Sequence, residues 1–141
     1  PQWWAMGREL FHREAIFHYW MEKLHQEFLS VSEGKFSLIE QLFQTTNEDE
    51  SQINDTNVAQ PAILAIQIGL TALWFSWNIR PKYVVGHSVG EIAAAFVAGR
   101  ISMHEAAKII YHRSRLQNLN TNQGGKMLAL FLSEAETKKS L

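Results

Sequence analysis

The chain has 141 residues and weighs 16.2 kDa, one domain's worth, and its 46% hydrophobic and 19% charged residues give it material for a packed core and argue against disorder. It contains no cysteine, which excludes a disulfide framework, a thiolate nucleophile and a cysteine-based metal site. The net charge of −1 is unevenly spread: residues 1–70 hold ten acids against four bases and residues 71–141 four acids against nine bases, a basic half suited to an anionic substrate or partner but without the basic–aromatic stripe of a nucleic-acid binder.

Residues 1–7 lack a basic-then-apolar leader. From Gly7 to Val31 the apolar positions Leu10, Phe17, Met21, Leu24 and Phe28 mark one face of a helix. Gly34 interrupts, residues 37–43 read as a short helix, and 45–51 as a solvated loop. Asp55, Thr56 and Asn57 offer N-caps, Pro61 falls near the first turn, and the apolar run to Trp77 predicts a buried helix. Gln67, Gly69, Thr71 and Ser76 interrupt that run, which reads as too polar and too short for a bilayer. With no leader and no cysteine, a cytoplasmic protein without a membrane partner is expected.

After Pro81, residues 82–85 read as a short buried strand broken by Gly86, and residues 89–97 as a helix closed by Gly99. Ser102 and Glu105 have capping-box spacing and open a helix from Met103 to about Leu119. Gly124-Gly125 is a break, 127–132 a second strand, and Ser133 with Glu136 a further capping box. Two strands are too few for a stable sheet, so either further strands exist or the chain is a piece of something longer.

The sharpest local feature is Gly86-His87-Ser88-Val89-Gly90, a G-x-S-x-G pattern between a predicted strand and a predicted helix. A strand turning abruptly into a helix holds the central serine on a strained corner with its hydroxyl outward. The flanking glycines are expected to avoid collisions where strand and helix pass. The helix start supplies N–H groups and partial positive charge, so the Val89 N–H would face the oxyanion of a tetrahedral intermediate, a donor of a kind worth about 2.7–4 kcal/mol of barrier. A glycine-rich turn that happens to hold a serine is the plainer alternative. A nucleophilic serine also needs a base. His87 adjoins Ser88 and points away from it; His12, His18 and His25 are accounted for as helix positions; His104 and His112 lie on a later helix. No aspartate follows Asp55 and no histidine follows His112, so the Ser–acid–His order of α/β-hydrolases is hard to assemble.

Extended to Gly86-His87-Ser88-Val89-Gly90-Glu91, the elbow resembles the GHSxGE signature of malonyl-CoA:acyl-carrier-protein transacylases, which include the acyltransferase domains of polyketide and fatty acid synthases. Residues 1–10 resemble the segment after that family's GQG motif, and Asn57-Val58-Ala59-Gln60-Pro61-Ala62 its QPA stretch. His112-Arg113-Ser114-Arg115 resembles its arginine-bearing helix, and Gly124-Gly125-Lys126-Met127 its entry to a small subdomain. The resemblance implies an α/β fold with a parallel sheet. Residues 1–123 would belong to a large α/β-hydrolase-like subdomain, and residues 124–141 would open a ferredoxin-like one.

By the same resemblance Ser88 is the nucleophile, Val89 an oxyanion donor, Arg113 the group that grips a malonyl-type carboxylate, and Gln60 a residue lining the site. His87 is the signature histidine beside the nucleophile, with a packing role rather than proton transfer. The implied reaction carries an extender acyl group from coenzyme A, through a serine ester, to the phosphopantetheine thiol of an acyl carrier protein. No metal or bound cofactor is expected. The implied partners are a malonyl-type CoA thioester, the carrier protein and neighbouring synthase domains such as a ketosynthase, with no nucleic acid and no membrane. Val89 is the type found more with malonyl than methylmalonyl. The family's GQG loop would precede Pro1 and its base histidine would follow Leu141, so a partial domain, inactive by itself, is expected. A serine esterase is the alternative.

Overall fold

The computed structural model describes residues 2–44, 47–120 and 130–140. Its organising element is α3 (Thr56–Ser76), a helix apolar on nearly every side, which buries Val58, Ala62, Leu64, Ala65 and Ile68. A helix with no polar face must be surrounded. Here α2 (Ala15–Val31), α4 (Gly90–Val97) and α5 (Met103–Asn120) pack around it. Contrary to the sequence reading, α3 is long and apolar enough to cross a membrane by length and composition, but most of it is buried in the protein core.

The predicted apolar stripe forms as expected: Phe17, Met21, Leu24 and Phe28 of α2 are fully buried. Each such side chain contributes roughly 1.5–3 kcal/mol relative to exposure. The approach of α2 to α3 depends on Gly69, where a Cβ would lie 2.6 Å from Met21 Cε and 2.7 Å from the Phe17 ring.

The single helix predicted over 7–31 is two. Residue Glu14 is extended (φ −112°, ψ 103°), closing α1 (Arg8–Arg13) with its N–H on Leu10 O and opening α2 with its carbonyl, which accepts from His18 N. The seven-residue step from Leu10 to Phe17 keeps both helices on one face, so periodicity does not register the break. The short helix predicted over 37–43 ends as a π turn at Glu40–Gln44 that buries Leu42 and Phe43. An exposed 3₁₀ turn at Glu48–Glu50 interrupts the predicted loop. Helix α3 starts early enough that Pro61 stands in its second turn rather than its first.

Asp55 stands at the N-cap of α3 without a side-chain capping hydrogen bond, but both expected capping boxes form. Glu105 Oε2 accepts from the Ser102 N–H at 2.7 Å, and the Glu105 N–H donates to Ser102 Oγ at 3.2 Å. The Ser133–Glu136 pair repeats this ahead of α6 (Glu134–Ser140). Gly99 closes α4 in the left-handed region at φ +68°.

Neither predicted strand forms among the described residues, which contain helices and turns only. Residues 82–85 form irregular backbone with a bend at Lys82, and Tyr83 and Val85 are 83% and 96% exposed instead of buried. A strand is defined by hydrogen bonds to a neighbour, so an apolar β-rich run without one stays an open segment. Leu130 to Leu132 are likewise exposed. The rest of that second strand, and the Gly124–Met127 motif with the subdomain boundary placed there, lie outside the described residues.

Candidate active site

Ser88 occupies the corner between that irregular segment and α4, with φ +55°, a left-handed conformation uncommon for a residue with a side chain. The turn is held by the Gly90 N–H donating to His87 O at 3.0 Å and the Glu91 N–H donating to Ser88 O at 3.2 Å. Glycine is required at 86, where a Cβ would lie 2.2 Å from Gly90 O and 2.4 Å from Glu91 N, both backbone atoms. It is not required at 90 for the expected reason, since a Cβ there would meet only Gln67 Nε2 at an ordinary 3.7 Å. The Val89 N–H heads α4, at the end where helix amides lack intrahelical acceptors and the dipole is positive.

Helix α5 brings Arg113 to this corner. Its neighbour Ser114 is fully buried, its Oγ satisfied within the helix by donating to Tyr111 O at 3.0 Å, so this face of α5 lies against the core. Arg113 Nη2 donates to Ser88 Oγ at 3.1 Å. Arg113 Nη1 donates to Gln60 Oε1 and, at 3.3 Å, to Gln117 Oε1. Gln60 Nε2 in turn donates to Gln117 Oε1 at 2.5 Å. Three elements remote in sequence thus converge: α3 supplies Gln60, the elbow Ser88, and α5 both Arg113 and Gln117. The structure therefore brings together Ser88, Gln60 and Arg113, the residues singled out from the sequence. Gln117 was missed; its one signal is its place four residues after Arg113, which puts both on one helix face.

His87 is exposed rather than packed, and it lines an apolar groove of about 1040 Å³ between α3, α4 and residues 79–87. That groove reaches Ser88, but neither Arg113 nor Gln60 lines it, so the cationic side of the serine is separate from it. Two of the other histidines serve the fold. His18 Nδ1 pairs with Phe11 O at 3.0 Å while its ring stacks on Phe11, and His104 Nδ1 joins α5 to α2 through Glu27 Oε2 at 2.8 Å. Among the described residues no histidine is hydrogen-bonded to Ser88, and no cluster of three His, Asp or Glu side chains could hold a metal ion.

Arg113 as donor to Ser88 Oγ has a definite chemical meaning. An oxygen that accepts from a guanidinium keeps its own proton available to a base, and charge developing on it is stabilised.

Residues 1–140 match the family model described as "Acyl transferase domain". The chain is 38% identical over 136 residues to "Probable polyketide synthase 23" of Dictyostelium discoideum, covering 96% of this chain and 5% of that one. Its backbone superposes on a loading acyltransferase from the avermectin modular polyketide synthase with TM-score 0.77 and 34% identity, over 84% of this chain and 36% of that one. The malonyl CoA:ACP transacylase of Synechocystis sp. superposes with TM-score 0.67 and 26% identity, over 84% of this chain and 36% of that one. The chain spans about a twentieth of the length of the curated relatives it matches and about a third of these two solved structures. A strained serine corner, an arginine donating to it and a match along nearly the whole sequence lead to one assignment: the chain belongs to the acyl transferase domain family and is part of an acyltransferase domain.

Proposed function

We propose that this chain carries the nucleophile and the carboxylate clamp of an acyltransferase that moves a malonyl-type group from coenzyme A to the phosphopantetheine thiol of an acyl carrier protein in a polyketide synthase. The observation that carries the reading is the 3.1 Å bond from Arg113 Nη2 to Ser88 Oγ. The similarity to polyketide synthases and to a malonyl CoA:ACP transacylase supports the choice of donor and acceptor.

In this reaction Ser88 Oγ attacks the thioester carbonyl, its proton passes to a base, and the tetrahedral oxyanion is met by the Val89 N–H. The C–S bond breaks, coenzyme A leaves as the thiol, and the acyl group remains as an ester on Ser88. The carrier thiol then attacks that ester and regenerates the serine hydroxyl. Arg113 presents a planar fork to the free carboxylate of the extender and sets its acyl carbonyl over Ser88. An acyl group without that carboxylate leaves the guanidinium without its charge partner. In this reading residues 1–123 belong to the large subdomain and 124–141 open the small one.

The test is mass labelling of the intact synthase domain with malonyl-CoA. One malonyl adduct on Ser88, lost in Ser88→Ala, is expected. An adduct on any other residue would overturn the proposal. Hydrolysis of uncharged esters, indifferent to Arg113→Ala, would replace it with an esterase.

A further inference from the structure

We infer that Gln117 is a positioning and specificity-determining residue: it fixes which edge of the Arg113 guanidinium is left for the acyl carboxylate, and it does so without spending the positive charge. The inference rests on the acyltransferase reading and deepens it.

Gln60 is buried, and its carboxamide has two orientations of nearly equal shape. With the oxygen toward Arg113 it accepts from Nη1; with the nitrogen there, two donors would face each other. The guanidinium, a donor only, selects the first, and Gln117 holds it there from the other end of the amide. Gln117 Oε1 accepts from Gln60 Nε2 at 2.5 Å, which is possible only when the Gln60 oxygen faces the guanidinium. The same Gln117 oxygen accepts from Arg113 Nη1 at 3.3 Å. Both hydrogens of Nη1 are thereby committed, one to each amide oxygen. Nη2 is the end that reaches Ser88 Oγ.

Two neutral acceptors on Nη1 satisfy its donors and hold the fork still, yet leave the net charge for an incoming anion. A carboxylate at position 117 would have the same reach and would cancel that charge. The side chain at 117 thus sets how strongly the site prefers an acyl group bearing a carboxylate over one without. Gln117 is exposed on α5, so substitutions there leave the core untouched.

The experiment compares malonyl-CoA with acetyl-CoA in the intact synthase domain, for the parent and for Gln117→Glu, Gln117→Leu and Ser88→Ala. Gln117→Glu is expected to lower kcat/KM for malonyl-CoA about tenfold or more, through KM, while acetyl-CoA changes less than about twofold. Gln117→Leu is expected to raise KM for malonyl-CoA about three- to tenfold with kcat nearly unchanged, since the Gln60 amide is released. A malonyl-to-acetyl preference within twofold of the parent in both Gln117 variants would overturn the inference. So would an equal fall in kcat for both substrates, the mark of a merely structural role. Ser88→Ala separates the two levels: if it retains acyl loading, the acyltransferase reading itself falls and this inference with it.

Discussion

Ser88 is the residue at which stability and chemistry pull apart. Its φ of +55° is a conformation that costs a residue with a Cβ roughly 1–2 kcal/mol and costs glycine almost nothing. Ser88→Gly is therefore expected to stabilise the intact domain by about 1 kcal/mol in denaturant unfolding while abolishing acyl loading. Ser88→Ala, which keeps the Cβ, should abolish loading without that gain. Equal stability of the two variants would mean that the corner stores no strain. The residues at this corner differed in how legible they were. Ser88 stands in a sequence pattern that carries chemistry on its face, whereas Gln60 and Arg113 stand out only through the family resemblance. Gln117 stands out in neither way, because glutamine on a polar helix face is what solvent alone would select. Its relevance appears only once α3 and α5 are packed together. Gly90 was misread in the opposite sense: both glycines of the pentapeptide look equally necessary, but only the Cβ missing from Gly86 would strike backbone.

Close approaches and caps govern the elements. A methyl group at Gly69 would overlap Met21 Cε, which can swing away, and the Phe17 ring, which is packed on all sides. Gly69→Ala should cost about 1–3 kcal/mol through overpacking while leaving acyl loading per folded molecule unchanged. Gly86→Ala should do the reverse to function, since relieving its 2.2 Å contact with Gly90 O moves the corner that presents Ser88. Thermal melts beside single-turnover labelling separate the two. The cap of α5 adds a pH-dependent contribution. The Ser102 N–H, and then its hydroxyl, hold the Glu105 carboxyl below its ordinary value. A lowered value in the folded state means that the stabilisation is present above the ordinary carboxylate range and is lost as pH falls through Glu105's own value. Glu105→Gln should thus lower Tm at pH 7, and the difference from the parent should shrink in acid; a difference independent of pH would count against it. Capped helices such as α5 were legible because their signals are local. Residues 82–85 were not, because a strand is completed by partners from elsewhere and none of the described residues supplies one.

For the whole molecule, the same lack of a partner strand sets the behaviour of the chain on its own. Trp74 and Trp77 at the end of α3 are about half exposed, and the chain continues through exposed Ile79, Tyr83 and Val85 along the apolar groove that reaches Ser88. A monomeric protein seldom leaves so continuous an apolar strip in water, and a β-prone segment without a partner strand beside it is a template for association. The helical core is sound: α3 is packed against α2, α4 and α5, and the capping box of α5 is formed. The 141-residue chain alone is accordingly expected to fold its helices, bind a hydrophobic dye and associate as its concentration rises, whereas the intact domain should not. Replacing Tyr83 and Val85 with lysine places charge on the exposed strip without touching the buried core, and should reduce both dye binding and association while leaving helical circular dichroism unchanged. A monomeric chain with a sharp cooperative melt and no dye binding would show instead that these residues find cover within the chain itself.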